Sequence, residues 1–507
     1  MNQFAVLLDT TSIQKYVFGS NKLKENLGAS FLVDQVFKKF VDDVTIKPIM
    51  ESNNEYKGYI GGGNALLFFS NKEESEDFIN EWTRNLLVKA PGITTAVAYK
   101  EFDESKFKIE KDELFRLLRE NKAREIPQTV IARHGFTAEC SNTGYSMENW
   151  NDLEVEDKKN YVSAVTFAKV RASKNAKAKI NTDYEIILKG KYEFTDDLEK
   201  LGQSEGEDSH IAVVHIDGNG MGERFRELET LDDTKQLSKN VESAVKNSFD
   251  YLLEQILTDL NNDGKCKEYN LVQENQTTIL PLRPIILGGD DITFVCNGKF
   301  GIYFAKIFLE KFQSIQVHGD LLLSACAGVA ITKTKYPFYR GYELAEQLCT
   351  NAKMRRLKLE GDNGGSWLDF HIAYGGFSGT LEELRKRQFI LSQRSLLLRP
   401  YKLDENELIS FDNLISSTKK LIAKNPETGK PSWPKNKLME MREKLTLGES
   451  EIKTFINDCR FRERIIPDFA GKPFNEDLFS DFNGIRATPF FDMIEILEFY
   501  PEFELIN

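Results

Sequence analysis

Two stretches of this chain repeat one unusual layout, and that repeat limits the folds open to it. In each, an apolar run stops at an aspartate, a helical stretch follows, and a second apolar run doubles back through consecutive glycines. The first copy runs over 4–8 to Asp9 and returns through Gly61-Gly62-Gly63-Asn64 within 58–69. The second runs over 211–216 to Asp217 and returns through Gly288-Gly289-Asp290-Asp291 within 284–295. Short apolar runs flanking a glycine-rich pair read as β-hairpins. A helix and a strand complete each copy, at 72–88 and 94–99 in the first and at 302–313 and 321–331 in the second. The order is β-α-β-β-α-β, the ferredoxin-like arrangement, so the sequence predicts an α+β fold with an internal duplication.

The rest of the chain falls around these units. We expect a first domain at 1–102, a helical linker domain at 103–205, a second unit at 206–377 and a helical C-terminal domain at 378–507. The first unit carries a helical stretch over 12–40 with a turn near Gly28, and the second a long amphipathic helix over 232–260. Further helices are expected at 342–358, 381–395 and 440–459, the last interrupted by Gly448. Segments 202–209 and 425–431 read as linker and loop.

Composition narrows the class. With 41% hydrophobic and 29% charged residues the chain can bury a core. No charged-then-apolar leader is apparent, and no apolar run approaches the ~18–20 residues that cross a bilayer, so the expectation is a cytoplasmic protein with no membrane partner. The six cysteines, Cys140, Cys266, Cys296, Cys326, Cys349 and Cys459, form no Cys-x-x-Cys pair and read as free thiols. A net charge of −12 disfavours a dedicated nucleic-acid wrapper.

The chemistry concentrates in the second unit. Asp217 ends a buried strand and is followed by Gly218-Asn219-Gly220-Met221-Gly222, whose glycines leave backbone N–H groups to approach phosphates. Asp290 and Asp291 sit at the tip of a hairpin that this topology lays beside the first strand. Three converging carboxylates repel one another unless a cation joins them. Two Mg²⁺ (or Mn²⁺) ions would supply it, activating an attacking 3′-hydroxyl and neutralising a leaving pyrophosphate. The alternative, that Gly-Gly-Asp-Asp is only a tight turn, is weakened by the strand-ending Asp-Gly-x-Gly in the right order. Lys353, on the 342–358 helix, reads either as a point charge for a triphosphate or as a solvated lysine beside Arg355, Arg356 and Lys358.

These residues resemble the polymerase/cyclase palm domain of the large subunit of type III CRISPR effector complexes, and the related GGDEF diguanylate cyclases. The pieces that carry the resemblance are Ile216-Asp217-Gly218-Asn219-Gly220-Met221-Gly222, Leu287-Gly288-Gly289-Asp290-Asp291, the 324–331 strand and Asn351-Ala352-Lys353. Asp9-Thr10-Thr11-Ser12-Ile13-Gln14-Lys15-Tyr16-Val17-Phe18 is similar to the opening of that subunit's first palm. The resemblance implies two ferredoxin-like palm domains plus helical linker and helical C-terminal domains. It implies metal binding by Asp217, Asp290 and Asp291, triphosphate contact by Lys353, and ATP as substrate for a cyclic or short oligonucleotide signal in antiviral defence. The nucleotide-binding set comprises Gly218, Asn219, Gly220, Gly222, Gly288, Gly289 and Lys353, with Gly62 and Gly63 of the first palm for a partner nucleotide.

The sequence also departs from that family. It has no His-Asp dipeptide and only His134, His210, His215, His318 and His371, so the HD nuclease domain of the usual large subunit is not expected. Only Cys140 stands where the family often has zinc-binding cysteine pairs, so no zinc is expected. Asn64 replaces an acid in the first palm, which is expected to be catalytically silent. The basic run 169–179 reads as a phosphate or RNA contact or as a solvated helix face. The leading expectation is a Mg²⁺-dependent nucleotidyltransferase, acting alone or as a homodimer. The alternatives are a scaffold subunit bound to guide or target RNA and CRISPR effector subunits, and a GTP-using diguanylate-cyclase-like enzyme.

Overall fold

The computed structural model describes residues 3–124, 135–155, 158–202, 209–274, 276–317, 321–362, 364–375, 379–404, 407–424, 429, 431–474 and 476–506. Most of the expected linker at 202–209 and loop at 425–431, together with His134 and His318, lies outside the described residues.

Apolar runs that stay buried on both faces build the two central sheets. In strand β1 (Gln3–Thr11), Ala5 and Leu7 face one apolar cluster and Val6 and Leu8 another, which is why the strand reads as a continuous apolar run and not an alternating one. The chain then forms α1 (Ile13–Phe18) and α2 (Leu23–Gln35), the hairpin β2 (Gly58–Gly61) and β3 (Asn64–Phe69), α3 (Lys72–Lys89) and β4 (Thr94–Phe102). The sheet order β2-β3-β1-β4, with β1 antiparallel to both β3 and β4, is the ferredoxin-like arrangement.

The helical stretch expected over 12–40 breaks at Gly19–Lys22 and not at Gly28. Gly28 lies inside α2, where a Cβ would sit 1.8 Å from the backbone oxygen of Lys169. That glycine exists for a close helix crossing with α5 (Ala164–Asp183) and makes no turn. The linker region, expected to be helical, supplies α4 (Phe107–Ala123) and α5, but also an antiparallel hairpin of Asn149–Val155 and Lys158–Val162.

The second palm repeats the first with β5 (His210–Gly218), α6 (Leu231–Leu260), β6 (Leu282–Gly288), β7 (Asp291–Asn297), α7 (Gly301–Gln313) and β8 (Ala325–Lys333). Its order β6-β7-β5-β8 matches that of the first sheet. After α8 (Phe338–Glu360), a strand that the sequence pattern did not mark, β9 (Trp367–Ala373), runs parallel to β8 and widens the sheet. The C-terminal region holds Phe411–Ile422, Lys435–Leu447 and Glu449–Phe461, the last two helices parted at Gly448 as the sequence implied. The helix expected over 381–395 stops at Gln388. There Ser392 and Gln393 take positive φ and turn the chain into one hairpin of a four-stranded sheet.

The two palms share an apolar core. Val6, Leu8 and Phe69 of the first belong to one buried cluster with Val213, Tyr342 and Leu348 of the second. All six cysteines are free thiols. No described helix is long and apolar enough to cross a membrane.

Candidate active site between the palms

Three backbone features bring the acids together. Strand pairing sets Asp291 directly opposite Asp217. The Gly218 N–H donates to the Asp290 carbonyl at 3.0 Å, which locks the hairpin tip to the end of β5. A Cβ at position 218 would fall 2.8 Å from the Asp290 Cβ, so only glycine permits this approach.

The charges are unevenly balanced. Lys353 on α8 donates to Asp217 Oδ2 at 2.5 Å and to the Gly218 carbonyl at 3.1 Å. Burial, then the neighbouring Asp217, pushes the Asp290 carboxyl up to about 6 and the Asp291 carboxyl up to about 7. His215, whose Nδ1 lies 3.5 Å from Asp291 Oδ1, is held below the usual histidine range chiefly by burial. One lysine therefore faces three carboxylates, and the excess negative charge is relieved by protons or by a cation.

The donor set fits a divalent cation. Asp291 Oδ1 is buried without a hydrogen-bond partner, and hard oxygen donors are what Mg²⁺ and Mn²⁺ take. Among the described residues, however, no three acids, histidines or cysteines are arranged as a finished metal cage, and Asp217 is engaged by Lys353.

The acids open onto a cleft of about 460 Å³ between the palms, which Gly62, Gly63, Gly288, Gly289 and Lys353 also line. The two hairpin tips nearly touch. A Cβ on Gly289, whose φ is +60°, would lie 3.1 Å from the Gly62 Cα. From the first palm, Gln14 on α1 donates its amide to Asp291 Oδ2 at 3.2 Å.

Other residues singled out by sequence are placed differently. The N–H of Gly218 is held by Asp290, and that of Asn219 donates to the Ser324 carbonyl at 2.9 Å. Neither is left for a phosphate. Gly218, Asn219, Gly220 and Gly222 do not line the cleft. Within the basic run, Lys169 is neither a phosphate contact nor solvated. It is buried, donates to the Tyr16 carbonyl at 2.6 Å, sits over the Tyr16 ring, and is held down to about 8 by burial.

The first palm keeps the geometry without the acids. Its register pairs Asp9 with Asn64 as the second pairs Asp217 with Asp291, and Thr10 N–H donates to the Gly63 carbonyl at 3.0 Å. Asn64 therefore stands where the second palm has Asp291, and Gly63 where it has Asp290. Asp9 is bridged by Lys122 at 2.6 Å. Lys122 ends α4, the helix after β4, just as Lys353 lies on α8, the helix after β8. Sequence reasoning closed the first palm at residue 102 and so missed Lys122. Gln14 was also missed as a site residue. The recurring strand-then-helix order was the signal for the first, and no local pattern marks the second.

Comparison with known proteins agrees with this architecture. Residues 210–360 match the family model described as Cas10/Cmr2, second palm domain. No curated protein matches by sequence. Among solved structures, Csm1 from T. onnurineus aligns over 100% of this chain and 69% of its own, at 14% identity and TM-score 0.54. A Csm1–Csm4 cassette in complex with AMPPNP aligns over 100% and 70% of the two chains, at 13% identity and TM-score 0.54. A cassette in complex with cA3 aligns over 98% and 69%, at 12% identity and TM-score 0.55. Other alignments span as little as 53% of the matched chain. Identities this low speak for fold alone. With the paired palms and the matched second palm domain, the chain resembles a Cas10-like large subunit of type III CRISPR complexes.

Proposed function

We propose that the chain is a metal-dependent nucleotidyltransferase that joins or cyclises nucleoside triphosphates, ATP first among them, at the acid cluster of its second palm. The observation that carries this reading is the pairing of Asp217 with Asp291 beside Asp290 at the wall of an interpalm cleft, with Lys353 bound to Asp217. Mg²⁺ or Mn²⁺ ions held by Asp217, Asp290 and Asp291 would activate a 3′-hydroxyl and neutralise the leaving pyrophosphate. Lys353 plays two parts. Without ligand it pairs with Asp217, and with nucleotide bound its ammonium would serve as a point charge for the phosphates. Gly62 and Gly63 line the opposite wall of the cleft, where a second nucleotide would sit. The structures that share this fold include cassettes in complex with AMPPNP and with cA3, which supports an adenine nucleotide and a short cyclic product.

Pure protein incubated with labelled ATP and Mg²⁺ or Mn²⁺ tests the reading. New oligonucleotide product that disappears in Asp290→Ala/Asp291→Ala supports it, and product that persists in that variant sinks it. A second role is carried by a separate observation, since these neighbours are Csm1 chains paired with Csm4. The chain would then also be a subunit of an RNA-guided complex, and co-purification of RNA and partner proteins checks this.

A further inference from the structure

The first palm is more than a silent copy. After β1, Ser12, a non-glycine residue at φ 55°, turns the chain into α1, which reaches the second palm. The short helix is fixed over its C-terminal half. Phe18 stacks on Tyr342 of α8 with ring centroids 3.6 Å apart. The buried ammonium of Lys169, from the linker helix α5, takes the Tyr16 carbonyl. Held in this way, α1 carries Gln14 to Asp291 Oδ2. The other oxygen, Asp291 Oδ1, is left buried and without a hydrogen-bond partner.

We propose that Gln14 is a positioning residue for the metal chemistry of the second palm, its amide holding Asp291 Oδ2 so that Oδ1 stays free to coordinate a divalent cation. The inference rests on the nucleotidyltransferase reading of the site. A neutral donor suits this task. It orients the carboxylate as partners behind metal ligands do, yet leaves its charge uncancelled. A lysine at the same place would compete with the metal. The consequence is that neither palm makes the site alone. The second palm supplies the acids, and the first, through α1, sets the orientation of one of them.

The test measures Mn²⁺ binding to the full chain with AMPPNP present, by electron paramagnetic resonance, in wild type, Gln14→Leu, Gln14→Lys and Asp291→Asn. Gln14→Leu should weaken Mn²⁺ about 10-fold, the usual effect of removing such a partner, and Gln14→Lys should weaken it further. Thermal unfolding should stay near wild type for Gln14→Leu, and ATP turnover should lose kcat with little change in KM. Loss of Mn²⁺ in Asp291→Asn together with wild-type affinity in Gln14→Leu overturns the role of Gln14 and leaves the metal reading intact. Wild-type affinity in Asp291→Asn overturns the metal reading, and this proposal with it.

Discussion

The two palms are built on one plan and differ in charge. Each places an aspartate near the end of its first strand, opposite the first residue of the strand that follows a glycine turn, and each sets a lysine on the helix that follows its fourth strand. In the first palm the residue opposite is Asn64, and Lys122 bridges Asp9 with no further acid in register. In the second, Asp290 and Asp291 stand against Asp217, and one lysine cannot offset all three. The backbone supplies positions, and the identity of two turn residues decides whether a palm is charge-balanced or short of a cation. A balanced ion pair has no electrostatic need for a metal, while an unbalanced acid cluster does.

The sharpest way to break this contrast is to neutralise matching positions. Asp291→Asn should lower product formation on the order of 10³-fold, since metal-assisted charge stabilisation is worth several kcal/mol. Asp9→Asn should leave it within about 3-fold if the first palm only positions groups. Labelled-ATP turnover of both variants checks this, and equal losses would erase the distinction.

A second contrast concerns protons. Asp290 and Asp291 must shed protons before a cation binds, so Mn²⁺ affinity should climb by on the order of 10-fold or more between pH 5.5 and 7.5. Folding stability moves the other way. These carboxyls sit above their unfolded values, so the native state binds more protons between about pH 4 and 7, and their contribution is lost as pH rises through the folded values. Asp291→Asn should therefore raise Tm at pH 7.5 by roughly 1–3 °C without metal, while Asp9→Asn should raise it less, because burial holds that carboxyl above its usual range too but the change strips Lys122 of its partner. Calorimetry of the two variants decides it.

The lysines should separate next. Lys353→Ala should slow turnover about 10- to 100-fold by removing a cation from the triphosphate side. Lys122→Ala breaks a half-exposed pair worth about 0–1 kcal/mol and should barely change activity. The smallest effect belongs to the turns. Gly62→Ala and Gly289→Ala both force a side chain to positive φ, at about 1 kcal/mol each. Only at Gly289 would the new Cβ meet the opposing palm, while the space at Gly62 is open. Gly289→Ala should therefore unfold at a lower temperature than Gly62→Ala by roughly 1–2 °C, and equal shifts would mean the tips can part freely.

Much of this was legible from the chain. The acid trio and both hairpins follow from local rules, because apolar runs, glycine pairs and strand-ending aspartates act over a few residues. Gly28 misled because a glycine in a helical stretch reads as a turn when nothing in the sequence reveals that the backbone of Lys169 crosses there. Within the basic run Lys169 misled for the same reason, while Arg171, Lys174 and Lys179 are exposed as a solvated face would be. Lys169 has the composition of a solvated face, yet its place under α1 depends on a contact with Tyr16, far along the chain.

The sequence by itself determined the duplicated β-α-β-β-α-β plan and placed Asp217, Asp290 and Asp291 in the only palm with a full set of acids, since both follow from short-range pattern. The tertiary structure decided how those acids are held. It paired Lys353 with Asp217 and Lys122 with Asp9, pressed Gly289 against Gly62, engaged the N–H groups of Gly218 and Asn219 within the fold, and brought Gln14 across to Asp291. These contacts depend on side-chain reach and on how two sheets pack, and that information exists only once distant segments have met.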